Sequence, residues 1–256
     1  MKVMADEGSI DLLSGRFLRG ELAELEQKML LEVFSKYVSH VDGMVNDGKE
    51  ATVYRCLGHD NEYYAAKVYR DRRFRAFANE SSYLDAASIG DRRLTKAIRK
   101  RTKIGRRTSQ HLWINREWQA LNMLYEAGAS VPEPLDKAPD AILMELVGSE
   151  GAAAPMLAQL KLDKTAAEKA FKAILLDIEK LLDCELIHGD LSAYNILYHN
   201  CRPRLIDLPQ VLDIHGAGDN FAPFLRDIEN IATFFERQGL TVDALDISIK
   251  LWRRYV

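Results

Sequence analysis

The sequence predicts an α+β fold in two parts, a small antiparallel sheet followed by a mostly helical second half. Three observations carry this. Strand-period runs at residues 41–45, 51–57 and 63–69 are separated by turn residues, Asn46-Asp47-Gly48 and Gly58-His59-Asp60-Asn61. From residue 163 onward the apolar period lengthens to that of helices. Between the two lies 148–155, rich in Gly and Ala, which reads as a linker, so that strands and helices segregate along the chain.

Taken in order, residues 1–39 form an N-terminal helical extension, with a helix at 21–37 that sets Leu22, Leu25, Met29 and Val33 near one face. Residues 40–147 make the first lobe, interrupted at about 70–110 by a basic, partly helical insertion. A helix at about 112–127 ends at Gly128, where a C-terminal cap belongs. Val131-Pro132-Glu133-Pro134 is held extended by proline geometry, and 141–147 reads as a buried strand. Residues 156–256 form the helical second lobe. Its first helix, 163–182, carries Ala167, Ala170, Phe171, Ile174, Ile178, Leu181 and Leu182 on one side. Short strands at 196–198 and 204–206 flank a turn, and helices follow at about 223–237 and 241–255.

The 256 residues are 47% hydrophobic and 29% charged, a balance that suggests neither a disordered nor a membrane class. The formal net charge of -3 hides an asymmetry: residues 67–118 hold 15 Lys/Arg against 5 Asp/Glu. Three scattered cysteines, Cys56, Cys184 and Cys201, suit neither a disulfide framework nor a zinc site. No signal-peptide pattern and no long apolar run is visible, so the expected location is cytoplasmic.

The chemistry is concentrated in Ile187-His188-Gly189-Asp190-Leu191-Ser192-Ala193-Tyr194-Asn195, of the form H-x-D-x-x-x-x-N. Phosphoryl transfer needs a carboxylate to orient the attacking hydroxyl and an amide oxygen to help hold a metal, and this spacing lets one loop supply both. Asp190 is therefore the candidate base and Asn195 a candidate metal ligand. Leu205-Ile206-Asp207 follows; alone, such an aspartate is a turn cap, but beside the first motif Asp207 reads as a second metal ligand. In Ala65-Ala66-Lys67, strand alternation sets Ala65 and Lys67 on one face, leaving room for a flat base and a lysine that reaches phosphates. Glu117, on the next helix, is its candidate ion-pair partner, although Glu126 lies on the same helix. The segment Asp47-Gly48-Lys49-Glu50-Ala51-Thr52-Val53-Tyr54 sits where a phosphate-covering loop belongs. With only one glycine, Gly48, close backbone approach is limited there, and Lys49 and Thr52 are the candidate side-chain contacts.

Taken together, Gly48 to Tyr54, Ala65-x-Lys67, Val131-Pro132-Glu133-Pro134, Met144-Glu145, His188-Gly189-Asp190-Leu191-Ser192-x-Tyr194-Asn195 and Ile206-Asp207-x-x-Gln210 resemble the RIO-type atypical serine/threonine protein kinases, most nearly the first RIO subfamily. The resemblance covers about residues 40–240. It implies a bilobal protein-kinase-like fold with a reduced C-lobe, use of ATP with Mg²⁺ or Mn²⁺, and transfer to Ser/Thr hydroxyls, including the protein's own. It carries over Asp190 as catalytic base, Asn195 and Asp207 as metal ligands and Lys67 as phosphate contact. Gly48, Lys49, Val53, Ala65 and Glu117 fall around the nucleotide. Met144 stands at the back of the adenine pocket, with Glu145 to Val147 as hinge. Gly189 takes the place of the usual arginine and Leu208-Pro209 that of Phe-Gly, so ordinary activation-segment switching is not implied. Only about 40 residues precede the first strand, too few for the winged helix of the second subfamily.

Two other readings stay open. Small-molecule kinases of the aminoglycoside or choline phosphotransferase type share H-G-D-x-x-x-x-N, and a nucleotide-switched ribosome-assembly factor would use the same site with little turnover. Residues 92–107 hold nine Lys/Arg and no acid, which suits RNA or a ribosomal subunit through counterion release, an acidic protein partner or, more plainly, a solvated loop. Asp227, in Arg226-Asp227-Ile228, either braces the catalytic loop or lies at the surface.

Overall fold

The computed structural model describes residues 17–48, 50–70, 100, 102–216 and 218–255. Helix α1 (Phe17–Val33) precedes β1 (Val38–Asp47), β2 (Ala51–Gly58) and β3 (Tyr63–Tyr69); α2 (Lys103–Glu126) precedes β4 (Pro134–Ala138) and β5 (Ala141–Glu145). The five strands form one antiparallel sheet in the order β1-β2-β3-β5-β4. The turn residues do what their chemistry allows: Asn61 takes a left-handed φ of 65° and Gly58 N–H closes the β2–β3 turn on Glu62 O at 2.8 Å.

Both faces of this sheet are covered, and alternation along β3 sorts its residues between them. Ala66 and Val68 join Leu30, Phe34, Val38, Val41, Tyr54, Cys56 and Leu143 in a core under α1. Tyr69, two residues on from Lys67, joins Trp113, Ile114, Leu121, Leu124 and Ile142 in a second core that continues into the helical half. Tyr54 reaches through to α1, where its hydroxyl donates to Glu26.

Several elements depart from the sequence expectation. Of the expected stripe Leu22-Leu25-Met29-Val33, the Leu22 side chain lies outside the described residues and the other three are not the buried face of α1. Leu25 and Val33 are 63% and 39% exposed, Met29 is half-buried, and Leu30 and Phe34 are the buried pair. The helix stops at Val33, and Phe34 lies in the following turn, where it packs in the same core as Val38 and Val41. The stripe facing the sheet is thus one residue, about 100°, around the helix. Helix α2 begins at Lys103 rather than near 112, because Arg, Lys and Gln favour helix without any apolar period. The extended proline segment runs on into a full strand, β4, and residues 148–153 fold as a small hairpin of β6 (Gly148–Ser149) and β7 (Ala152–Ala153) rather than an open linker.

The second half is built on α3 (Lys164–Asp183), α4 (Phe221–Arg237) and α5 (Ala244–Trp252). Asp163 caps α3 by accepting from Ala166 N–H at 2.8 Å, and Ala167, Ala170, Ile174, Ile178, Leu181 and Leu182 are its buried stripe. Aromatic contacts lock the helices together, Phe171 on Phe235 at 5.2 Å and Phe224 on Trp252 at 5.3 Å between ring centroids. Asp177 of α3 accepts from Ser130 N–H at 2.9 Å, tying the segment before β4 to the helical half. No helix among the described residues is long and apolar enough to cross a membrane.

Candidate active site

Four short strands position the loops. β8 (Leu186–Ile187) feeds the His188–Asn195 loop, which exits into β9 (Ile196–His199); β10 (Arg202–Leu205) feeds the Ile206–Val211 segment, which exits into β11 (Leu212–Asp213). β9 pairs with β10 and β8 with β11, both antiparallel, with Ile196 opposite Leu205 and Ile187 opposite Leu212. Two loops stitched together at both ends must lie side by side. Ile206 N–H accordingly donates to Asn195 O at 3.0 Å, and His188 Nε2 meets Ile206 O at 3.2 Å. The contact is close enough to dictate residue type. Gly189 has φ +81°, and a Cβ there would lie 2.5 Å from Gln210 O, so only glycine fits.

The loop is also held from below. Asp227, 2% exposed, accepts from Gly189 N–H at 2.7 Å and from Leu191 N–H at 2.8 Å. Arg226 donates to Gly189 O at 3.2 Å and Asn230 to Leu191 O at 3.0 Å. Three side chains of one helical turn thus fix the backbone on both sides of Asp190. Burial pushes the Asp227 carboxyl up to about 7, against the two N–H bonds and the Arg226 charge. Of the two readings of Asp227, the brace is the one its position supports.

Asp190 itself is exposed. Asn195 Nδ2 donates to Asp190 O at 2.7 Å, and Gln210 Nε2 to Asp190 Oδ2 at 3.3 Å. With its amide nitrogen committed this way, the side-chain acceptor Asn195 has left is its amide oxygen. The loops nonetheless partly desolvate the Asp190 carboxyl, and this, then the Asp207 charge, raises it above the usual range, while Arg226 and the Asn195 bond pull it down.

Across from these loops stands Lys67. Its Nζ donates to Glu117 Oε1 and to Asp207 Oδ1, each at 2.7 Å. Burial alone would lower this ammonium; the Asp207 and Glu117 charges outweigh it and hold it protonated. Glu117 is 3% exposed, and its burial raises its carboxyl against the pull of Lys67. Glu126 is exposed at the far end of α2, so the ion-pair partner is Glu117. Asp207 takes a left-handed φ of 67°, which Asp and Asn tolerate better than most residues.

On the sheet, register places Val53 opposite Lys67 and Met144 opposite Ala65, so Val53, Ala65, Lys67 and Met144 share one face. Glu145 ends β5, paired through its side chain with Arg204 of β10, which also donates to Val131 O at 2.9 Å. Val147 is buried, and its carbonyl accepts from Ala154 N–H at 2.8 Å. The Arg204 contacts tether the end of the sheet to the strand that precedes Asp207.

The expected phosphate loop is smaller than anticipated. β1 runs to Asp47 and β2 begins at Ala51, leaving a tight hairpin whose Gly48 N–H is spent on Ala51 O at 3.0 Å. Thr52 is 2% exposed, donates to Asp47 at 3.4 Å and accepts from Arg70 at 2.9 Å; Arg70 also pairs with Asp47. Neither the Gly48 backbone nor Thr52 is therefore an open donor toward phosphate, because cross-strand partners reach them first. Lys49 lies outside the described residues, as does most of 92–107: residues 92–99 and 101.

The geometry also brings in residues that sequence reasoning passed over. Tyr69 donates its hydroxyl to Glu117, and the same alternation that placed Ala65 and Lys67 together could have found it. Arg204 and its hold on Glu145 left no such trace, being a contact between elements 59 residues apart.

For a metal, the donors at hand are the Asp207 carboxylate and the Asn195 amide oxygen, linked through the Ile206–Asn195 backbone bond. Among the described residues no cluster of three or more His, Cys, Asp or Glu could cage an ion. Two hard oxygen donors with an otherwise open shell fit Mg²⁺, which keeps waters and takes its remaining ligands from phosphate oxygens.

A two-lobed protein-kinase-like architecture, with sheet lysine, helix glutamate and two stitched loops, is the class that fold and site define. A family model, the RIO domain, matches residues 52–247, and the chain belongs to that family. It is 32% identical over 208 residues to the RIO-type serine/threonine-protein kinase Rio1 of Haloferax volcanii, covering 80% of this chain and 67% of the relative. To the Rio1 kinase of Methanocaldococcus jannaschii it is 33% identical over 229 residues, covering 87% and 73%. To the rio1 kinase of Schizosaccharomyces pombe it is 29% identical, covering 91% of this chain but only 46% of that protein; the chain spans less than half of this longer relative. Among solved structures, the Rio2 kinase of Chaetomium thermophilum in an ADP/Mg²⁺-phosphoaspartate complex superposes with a TM-score of 0.63 at 22% identity, over 91% of this chain and 67% of that one. This last likeness speaks to the fold, an α+β kinase-like one.

Proposed function

We propose that this chain is a RIO-type serine/threonine protein kinase that transfers the γ-phosphoryl group of ATP to a Ser or Thr hydroxyl, its own included. One observation carries the reading: Lys67, Glu117 and Asp207 form a single ion-paired group beside a loop that offers Asp190 and Asn195. In this reading ATP lies between the sheet and the helical half, its base against Val53, Ala65 and Met144, with Glu145 to Val147 as hinge. Lys67, steered by Glu117, contacts phosphate oxygens. Asn195 and Asp207 hold Mg²⁺ or Mn²⁺, which when bound would neutralise charge on the phosphates. Asp190 accepts a hydrogen bond from the attacking hydroxyl and takes its proton, while Asn195 and Gln210 fix its direction. Asp227, Arg226 and Asn230 hold the loop that carries it. The place of work is the cytoplasm, and the basic run at 92–107 supports contact with a phosphate-rich partner such as RNA by charge alone.

The test is incubation with γ-labelled ATP and Mg²⁺, with and without a panel of aminoglycosides and amino alcohols. Label on the protein is the expected result. Label on a small molecule would replace this reading with the small-molecule kinase, and ATP hydrolysis without label on either would favour the nucleotide-switched factor.

A further inference from the structure

We infer that Tyr69 is a positioning residue for the nucleotide site, its phenolic hydroxyl holding the Glu117 carboxylate in the one orientation that aims Lys67. The inference rests on the kinase reading above and adds a residue to it.

Three independent contacts converge on this side chain. Its hydroxyl donates to Glu117 Oε2, while Glu117 Oε1 is the oxygen that accepts from Lys67 Nζ at 2.7 Å. The carboxylate is therefore clamped at both ends, and rotation about its terminal bond, otherwise soft, is blocked. The ring also lies beside the ammonium it helps to aim, with Lys67 Nζ 5.2 Å from its centroid, within range of a cation–π attraction. Finally the ring packs edge-on against Trp113 of α2 at 6.3 Å, and its backbone is pinned, N–H to Asp140 O at 2.9 Å. The phenol is thus a fixed post between strand and helix.

The burial of the group explains why a post is needed. Tyr69 and Glu117 are 4% and 3% exposed, so no bulk water reaches the second carboxylate oxygen to orient it. A buried acceptor left without a donor turns toward whatever donor remains. Without the hydroxyl, both Glu117 oxygens would compete for Lys67, drawing the ammonium back toward α2 and away from phosphate. Lys67 already has a second claim on it from Asp207, so a small change in its Glu117 geometry redistributes it between the two.

The experiment is a binding cycle with Mg²⁺-ATP by calorimetry on the full chain, with folding checked by circular dichroism. Tyr69→Phe keeps the ring and its Trp113 contact and removes only the donor. It should weaken Mg²⁺-ATP by about tenfold or more, in line with the roughly 10–100-fold worth of a hydrogen bond to a charged group. Glu117→Met fills the same space without an acceptor, and in that background Tyr69→Phe should change affinity less than about twofold, because the hydroxyl has nothing left to orient. Equal losses in both backgrounds, which a purely structural tyrosine would give, overturn the inference, as does an unchanged affinity in Tyr69→Phe alone. Lys67→Met and Glu117→Met serve as controls on the underlying reading. If neither weakens Mg²⁺-ATP, the kinase site itself is wrong. If both do and Tyr69→Phe does not, only the role of Tyr69 falls.

Discussion

Lys67 and Asp207, 140 positions apart in sequence, meet at 2.7 Å in a bond between the sheet and the helical half. In the proposed reading, Asp207 is both a metal ligand and the partner of the phosphate-binding lysine, which makes the two functions interdependent. Asp207→Asn keeps a residue that tolerates the left-handed backbone but removes the charge. Binding of ATP measured by calorimetry with Mg²⁺ should weaken at least about tenfold, since one charge-assisted contact is worth roughly 1.5–3 kcal/mol, while the smaller, metal-free affinity in EDTA should not fall, because Lys67 has lost a competing partner. Equal weakening with and without metal would remove Asp207 from the ligand set.

Asp190 touches neither Lys67 nor the sheet in any of these bonds, so its loss should spare binding. Asp190→Ala is expected to retain Mg²⁺-ATP affinity and lose transfer by about 10²–10⁴-fold, the usual worth of a general base. Autophosphorylation at the parent's rate would refute the assignment.

The same base gives a pH dependence whose sign is fixed. Burial and the Asp207 charge raise the Asp190 carboxyl, and only the ionised form can take a proton. Single-turnover rate should therefore fall as the pH drops through that raised value, with an acid limb above the pH of an ordinary aspartate, about 3.9. Arg226 pulls the carboxyl the other way. Arg226→Gln should move the acid limb to higher pH, whatever the loss of its bond to Gly189 O does to the plateau rate; a limb that moves down would contradict the electrostatics.

At Gly189 a methyl group has nowhere to go. Gly189→Ala combines a positive φ of 81° with a contact of 2.5 Å to backbone. The strain is on the order of 1–3 kcal/mol, read as a fall of several degrees in Tm, and relief by displacing Gln210 should cost transfer more than ATP binding.

Asp227 holds two N–H groups that have no other partner among the described contacts. Asp227→Ala should destabilise by about 2–4 kcal/mol, from unsatisfied buried donors, as measured by urea denaturation. Asp227→Asn, which restores one acceptor, should recover part of it.

Much of this was legible in the chain before folding. β3 lies where the alternation of Tyr63–Tyr69 puts it, and the buried stripe of α3 is the one its periodicity marks, because in both cases one face meets one partner. The loop motifs were readable because their spacing is set by local chemistry. What resisted reading depends on which surface an element meets. The buried face of α1 turns on how Phe34 fills the space beneath β1, and the start of α2 carries no apolar signal. Asp227 looks like any helical aspartate until two N–H groups from residues 36 and 38 positions away arrive. Gly48 and Thr52 looked open for the same reason: the strands that occupy them lengthen only when the sheet assembles.

The left-handed turn at position 207 carries one more implication. It acts as a sieve at the level of the main chain, admitting Gly, Asn and Asp at little cost and charging other residues roughly 1–2 kcal/mol before any side chain is considered. Of the admitted three, only one brings a full negative charge. Lengthening the side chain to glutamate, the change that would best conserve charge, therefore meets that backbone cost before anything else. If the proposed role of Asp207 holds, a library sampled at this position should rank aspartate above every substitute.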